Sequence, residues 1–188
     1  HKIYHRYGLE LKHFKNELNE TTIYYKVNYG SGIGIWWHQF NFYCYDNDEL
    51  IPTLTEIKSI NHQFWSWTYL IESTIISTNP LKLKFEFYNV LADSVGNEIE
   101  LINDSTQITY NFDINKKMYE PQFSDSKLNK FKLLTYYFYG NPRLLFINVN
   151  NELFKKSLKS NDQQKRQAIF YHLNEMKNEL EGNRKNQD

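Results

Sequence analysis

The clearest pattern in the chain is the alternation of apolar and polar positions. Every second residue is apolar from Gln107 to Ile114, and Leu81 to Tyr88 repeats the pattern. A period of two places one set of side chains on one face of a strand. The residues between the two strands predict a turn over Ala92 to Asn97, a short strand over Ile99 to Leu101, and a turn at Asn103-Asp104. Together these segments predict an antiparallel meander.

A second hairpin is predicted near the start of the chain. Apolar and polar residues alternate from Thr22 to Tyr29, and Gly30-Ser31-Gly32 then leads into a long strand over Ile33 to Tyr45. Asp46-Asn47-Asp48 has the composition of a turn that closes this strand.

Two later segments carry weaker strand signals. Phe64 to Ile71 fits both a strand and a helix, and the aromatic and β-branched content favours a strand over Phe64 to Ile76. Lys130 to Tyr139 and Arg143 to Val149 flank Gly140-Asn141-Pro142, which predicts a further hairpin.

The last part of the chain has the pattern of an amphipathic helix. Ser160-Asn161-Asp162 offers three candidate N-caps, and Gly182 is a typical C-terminal signal. Residues 183–188 then predict a flexible, solvated tail. The predicted apolar stripe, which needs either the sheet or a second copy of the helix as its partner, consists of Ile169, Leu173, Met176 and Leu180.

These elements predict a mainly β fold, an antiparallel sandwich or barrel of roughly seven to ten strands, with a C-terminal amphipathic helix. The length of 188 residues is sufficient for one hydrophobic core, so we expect a single domain over 1–188. Residues 121–128 are the most plausible place for a subdivision.

Charge and cysteine content narrow the classes of protein. Lys+Arg and Asp+Glu number 22 each, which gives no strong nucleic-acid signal. No window reaches the roughly 18 apolar residues of a membrane-spanning helix, which indicates a soluble chain. The single cysteine, Cys44, cannot form an intramolecular disulfide, and a reducing, cytoplasmic compartment is mildly favoured. The chain begins at His1 without a charged-then-apolar leader, so an anchor or signal before His1 stays open.

Aromatic residues make up 17% of the chain, which is the unusual feature of its composition. If the two long aromatic strands pair, their side chains occur on both faces of the sheet, and an uncovered face would bind a partner. The alternative is that helices or a second sheet cover both faces. The candidate binding residues are Trp36, Trp37, Tyr43, Tyr45, Trp65, Trp67 and Tyr69.

Arg166 and His172 form the one candidate catalytic pair. An arginine a few residues before a histidine on a helix resembles the loose motif of HEPN ribonucleases, and the resemblance covers this helix only. It implies a metal-independent nuclease in which a homodimer brings two such pairs together, with arginine stabilising charge and histidine acting in proton transfer. HEPN domains are helical bundles, whereas most of this chain has strand patterns. We therefore favour the alternative that both side chains cover the edges of an amphipathic helix.

The sequence contains no pattern typical of a metal site, a calcium loop or a phosphate-binding loop. The six histidines lack metal-ligand spacing, the acidic Asp46 to Glu49 lacks the spacing of a calcium loop, and Gly30 to Gly34 lacks the Lys-Ser/Thr of a phosphate loop. We therefore expect no metal and no cofactor.

The resulting functional hypothesis is a non-catalytic binding module. It would present an aromatic-rich β surface to a protein partner, a second copy of the chain, or a small apolar ligand. The HEPN-like ribonuclease is the first alternative, and a structural subunit of a larger assembly is the second.

Overall fold

The structure is a computed structural model, and it describes residues 10–32, 34–64, 66–122 and 142–185. The described residues form one eight-stranded sheet in which the strands follow each other in chain order. Neighbours among the first four strands, and the last two strands, pair antiparallel, as expected for strands joined by short turns. The strands are β1 (Lys12–Lys15), β2 (Thr21–Gly32), β3 (Ile35–Asp46), β4 (Glu49–Gln63), β5 (Trp67–Thr78), β6 (Leu81–Ala92), β7 (Glu98–Asp113) and β8 (Met118–Gln122).

Within residues 142–185, which the structure describes, the chain forms three helices. They are α1 (Pro142–Val149), α2 (Asn151–Leu158) and α3 (Gln163–Lys185). The predicted class, mainly antiparallel β with a C-terminal helix, is therefore confirmed.

The strands with a strict period of two were predicted best. On β6 the apolar side chains Leu83, Phe85 and Phe87 are at most 2% exposed, and their polar neighbours are half-buried. The predicted turn after β6 is also present. Asp93 Oδ1 accepts hydrogen bonds from the backbone N–H groups of Val95 and Asn97, both at 2.9 Å.

Two strand predictions needed correction. The turn predicted at Asn103-Asp104 is absent, since β7 runs without interruption from Glu98 to Asp113. β4 was not predicted, because bulges opposite β3 break the alternation. Ser59 pairs with His38 and Ile57 with Gln39, so Lys58 is an extra residue in the ladder.

The strand predicted over Arg143 to Val149 is wrong, because these residues lie in helix α1. Proline is favourable in the first turn of a helix, and Leu144 and Leu145 are good helix formers. The partner strand predicted at Lys130 to Tyr139 lies outside the described residues, as does most of the 121–128 segment.

Helix α3 begins where the sequence predicts it. Asp162 Oδ1 accepts a hydrogen bond from the backbone N–H of Lys165 at 2.9 Å, which is the geometry of an N-cap. The predicted end at Gly182 is too early, since the helix continues to Lys185. On the predicted stripe Ile169 and Met176 are buried, whereas Leu180 is 40% exposed.

The chain groups into two compact units, each made of three segments. Unit 1 comprises His1–His62, Leu70–Glu86 and Ser105–Lys127. Unit 2 comprises Gln63–Tyr69, Phe87–Asp104 and Leu128–Asp188.

The core of unit 1 is aromatic. Phe42 is fully buried, and its ring stacks on Tyr24 at 5.3 Å and meets Tyr119 edge-on at 6.4 Å. The Tyr119 and Thr22 hydroxyls are 2.9 Å apart, so the buried tyrosine oxygen has a partner. These contacts join β2 and β3 to β8.

Candidate functional site

The predicted aromatic surface is not assembled as one patch. It required pairing between the two aromatic strands, but β4 lies between β3 and β5 in the sheet. Trp67 and Tyr69 are only 2% and 7% exposed, because they lie in the core of unit 2, and their assignment to an open surface is corrected. Trp65 lies outside the described residues.

The four predicted residues on β3 have different environments. Trp36 and Tyr45 are exposed and Trp37 is half-buried. Tyr45 lies nine positions after Trp36 along β3, a distance of about 30 Å, so the two exposed rings do not form one surface. The Tyr45 hydroxyl donates to Asp48 Oδ1 at 2.8 Å.

Tyr43 belongs to a stacked tyrosine pair. Its ring lies nearly parallel to that of Tyr25, with centroids 5.7 Å apart, and the two hydroxyls are 3.1 Å apart. Burial and this hydrogen bond raise the pKa of Tyr43 to about 12. The phenol is therefore neutral at ordinary pH, and its ring is held in place by Tyr25.

Unit 1 contains a cavity of about 540 Å³ that the sequence did not predict. Small-molecule sites have volumes of roughly 300 to 1,000 Å³, so the cavity has a suitable size for a small organic ligand. Its walls come from the region before β1 and from strands β1 to β5. The described lining residues are Glu10, Lys12, Tyr24, Tyr25, Lys26, Asn28, His38, Phe40, Lys58, Ser73, Thr74 and Ile75.

One face of the β2–β3 hairpin supplies much of this lining. Lys26 is directly opposite Phe40 in the ladder, and Asn28 is opposite His38. Residues that pair across two strands project from the same face, and alternate residues along a strand do so as well. This face is closed at the Phe42 end by packing on β8 and opens into the cavity at the Lys26 end.

Aromatic rings form the apolar wall of the cavity. Tyr24 and Phe40 meet edge-to-face with centroids 6.0 Å apart. The Lys58 ammonium lies over the Phe40 ring, 5.8 Å from its centroid, which is within cation–π range.

Polar groups converge on the same space. His38 Nδ1 is 3.2 Å from the Ser59 hydroxyl. Burial, followed by the nearby charges of Lys26 and Lys58, lowers the pKa of His38. Asn28 Oδ1 is buried and has no hydrogen-bond partner among the described residues. A buried polar atom of this kind is normally satisfied, so Asn28 offers a position for a ligand or a water.

Unit 2 contains a buried histidine in place of the predicted surface pair. His172 is fully buried, and its Nδ1 is 2.9 Å from the hydroxyl of Ser66. Its ring lies among Trp67 and Phe154, each with its centroid 6.2 Å away. Burial, with a smaller contribution from the charge of Arg143, lowers the pKa of His172 to about 4.

His172 and Arg166 do not share an accessible site in this structure. The Arg166 guanidinium donates to the backbone carbonyl of Ser160, whereas the His172 ring faces the core of unit 2. The expectation that His172 covers an edge of the helix is wrong. It occupies a core position, because Ser66 provides a hydrogen bond for one ring nitrogen and burial keeps the ring neutral.

The described residues contain neither a membrane-spanning helix nor a cluster of metal ligands. None of the helices formed by residues 142–185 is sufficiently long and apolar to cross a membrane. Within the described ranges, three or more His, Cys, Asp or Glu side chains do not come together in an arrangement that would hold a metal ion.

Most of the cavity residues were missed in the sequence because their signal depends on register. Tyr24, Lys26 and Asn28 are separated by single residues, and this spacing does place them on one face. Their relation to His38 and Lys58 depends on the ladder and on the β4 bulge, which the alternation pattern does not reveal.

Comparison with known proteins does not indicate a function, so the function is argued from the cavity. No family model matches the sequence, and neither the curated proteins nor the solved structures include a match.

Proposed function

We propose that the protein is a non-catalytic binding module that holds a small ligand with an apolar body in the unit 1 cavity. The single observation that carries this proposal is the cavity itself, with a volume of about 540 Å³ and an aromatic wall that includes Tyr24 and Phe40. A concave site with an apolar wall and a few convergent polar groups is the usual form of a small-molecule site.

The stacked tyrosine pair supports this role. Tyr25 lines the cavity, and its ring is fixed by Tyr43 on the neighbouring strand. A wall whose side chains are already ordered loses little conformational entropy when a ligand binds. Tyr43, a residue from the predicted aromatic set, thus contributes by supporting the wall.

The proposal is tested by filling the cavity. Ile75 lines it, and its neighbour Ile76 is 45% exposed and is not among the described lining residues. Because Ile75 is a lining residue and Ile76 is not, Ile75→Trp should fill the cavity and Ile76→Trp should leave it open. The probe is N-phenyl-1-naphthylamine, a neutral dye whose fluorescence rises in apolar surroundings.

We expect wild type and Ile76→Trp to bind the dye with one saturable site, and Ile75→Trp to lose at least about tenfold in affinity, equivalent to roughly 1.4 kcal/mol. Circular dichroism checks that both variants are folded. Equal binding by the two folded variants would contradict the proposal, as would the absence of saturable binding to wild type.

A further inference from the structure

The charges around the cavity are unevenly distributed. The described lining residues include the lysines Lys12, Lys26 and Lys58 and one carboxylate, Glu10. The whole chain has a formal net charge of zero. The positive charge at the cavity is thus a local feature, and it favours ligands with negative charge.

The three lysines differ in how their charges are balanced. The Lys12 ammonium is 3.3 Å from a Glu10 carboxylate oxygen, so this pair is neutral overall. The Lys58 ammonium is 2.9 Å from Glu72 and 2.8 Å from the backbone carbonyl of Ser73. Lys26 forms no ion pair with the acids of the described residues, so its charge is available to a ligand.

Lys26 is also well placed with respect to the aromatic wall. It pairs with Phe40 across the β2–β3 ladder, so both side chains project from the same face of the hairpin. A ligand that packs on Phe40 therefore has an ammonium group beside it. Asn28, two residues further along the same face, has an amide oxygen without a partner among the described residues. This oxygen accepts a hydrogen bond, so it would pair with an N–H or O–H group elsewhere on the ligand or with a water, and not with the anionic group.

We infer that the ligand of the unit 1 cavity is an organic anion, with an aromatic or aliphatic body against Tyr24 and Phe40 and one carboxylate, sulfonate or sulfate group at Lys26. This inference rests on the proposed function and specifies its ligand class. Near Lys26, Asn28 Oδ1 can accept a hydrogen bond from an N–H or O–H group on the body of the ligand.

The test compares two dyes that differ in charge. 8-Anilinonaphthalene-1-sulfonate has the same aromatic body as N-phenyl-1-naphthylamine and carries a sulfonate in addition. The variant is Lys26→Gln, which keeps most of the side-chain stem and removes the charge. The matched control is Lys82→Gln on β6, because Lys82 is not among the described lining residues.

We expect Lys26→Gln to weaken binding of the sulfonate dye about tenfold and to change binding of the neutral dye less than about twofold, since only the first dye loses a charge-assisted contact. Lys82→Gln should change neither affinity. High salt should weaken binding of the sulfonate dye to wild type much more than binding to Lys26→Gln, because salt screens the charge of Lys26. Ile75→Trp should weaken binding of both dyes, and this result would place both binding sites in the cavity.

The outcomes separate this inference from the proposed function. If the neutral dye binds in the cavity and Lys26→Gln leaves the sulfonate dye unaffected, the inference is overturned and the binding function stands. The same holds if the sulfonate dye does not bind at all. If neither dye binds wild type, the proposed function itself fails.

Discussion

The role of His172 that the sequence suggests differs from its position in the structure. On a helix after an arginine it suggests catalysis, yet in the fold it is a neutral ring in the core of unit 2, bonded to Ser66. Its Nε2 has no hydrogen-bond partner among the described residues. Protonation would place a charge in this apolar site, and this is why its pKa falls to about 4.

The buried His172 makes stability depend on pH. In the unfolded chain its pKa is near 6.5, so the unfolded state takes up a proton at a higher pH than the folded state. The stabilising contribution is complete above that value and is lost as pH falls toward 4. Between pH 7.5 and 5 we expect a loss of about 2 kcal/mol in the free energy of unfolding from this residue.

The measurement is urea unfolding of wild type and His172→Gln across this pH range. Glutamine does not titrate and retains a group that can bond Ser66, so the variant should lose less stability than wild type by about 2 kcal/mol. Parallel pH profiles for the two proteins would show that His172 does not have the lowered pKa.

His38 provides a second prediction at the residue scale. Its pKa is lowered first by burial and then by the charges of Lys26 and Lys58. Removing one like charge should stabilise the protonated ring, so Lys26→Gln should raise the pKa of His38. An NMR titration of the His38 ring measures it directly, with Lys82→Gln as the control. If both variants leave His38 at its wild-type pKa, the Lys26 ammonium does not face this histidine.

At the scale of elements, helix α3 joins the core of unit 2 through one narrow face. Ala168, Ile169, His172 and Met176 are buried along it, while Phe170 and Leu180 are exposed. The helix stripe predicted from the sequence was correct at Ile169 and Met176 and too long at Leu180.

Because only one face of α3 is buried, shortening a side chain to alanine should lower the free energy of unfolding by different amounts at different positions of the helix. Ile169→Ala should lower the free energy of unfolding by about 2 to 4 kcal/mol, because it leaves a cavity in a packed core. Leu180→Ala should cost less than about 1 kcal/mol, because this side chain is 40% exposed. Chemical unfolding of the two variants measures both values, and similar losses would mean that the helix does not pack through the Ile169 face.

The elements that sequence reasoning found and missed differ in their regularity. β6 was predicted because each buried residue is followed by a half-buried one from Leu81 to Ala92. β4 was missed because Ile57 and Ile60 are both buried at a spacing of three, on either side of the bulge at Lys58. A bulge is set by pairing with a neighbouring strand, so a single segment gives little sign of it.

The error at α1 has a different physical cause. Arg143 to Val149 is a short apolar run, and periodicity alone does not distinguish a strand from a helix over such a length. In the structure Phe146 stacks on Trp67 at 4.7 Å and meets Phe154 at 5.7 Å. Contacts with Phe154 on the next helix and with Trp67 on β5 therefore stabilise the helix, and the contact with Trp67 is distant in sequence.

At the scale of the whole molecule, the chain has a formal net charge of zero, and Lys26 is the lining lysine of the cavity that has no acidic partner among the described residues. The overall composition indicated only that the protein is not strongly basic, and it gave no sign of this local arrangement. Tyr24, Tyr25 and Phe40 are among the residues that line the cavity, and none of the three was in the predicted aromatic set.

Ligand binding should stabilise the folded chain as a whole. A ligand that binds only the native state adds about 2.7 kcal/mol to the free energy of unfolding when its concentration is 100 times its dissociation constant. Urea unfolding with and without the sulfonate dye should show this increase in wild type and a much smaller one in Ile75→Trp at the same dye concentration. An equal increase in both proteins would place the dye outside the cavity.

The most direct test of the account is to map where a small apolar ligand binds. Aromatic and histidine side-chain signals are followed by NMR during titration with N-phenyl-1-naphthylamine. We predict saturable shifts at Tyr24, His38 and Phe40, with Trp36 and Tyr45 unchanged, because only the first three line the cavity. Shifts at Trp36 or Tyr45 with none at the cavity residues would contradict the account and assign binding to the exposed aromatic side chains of β3.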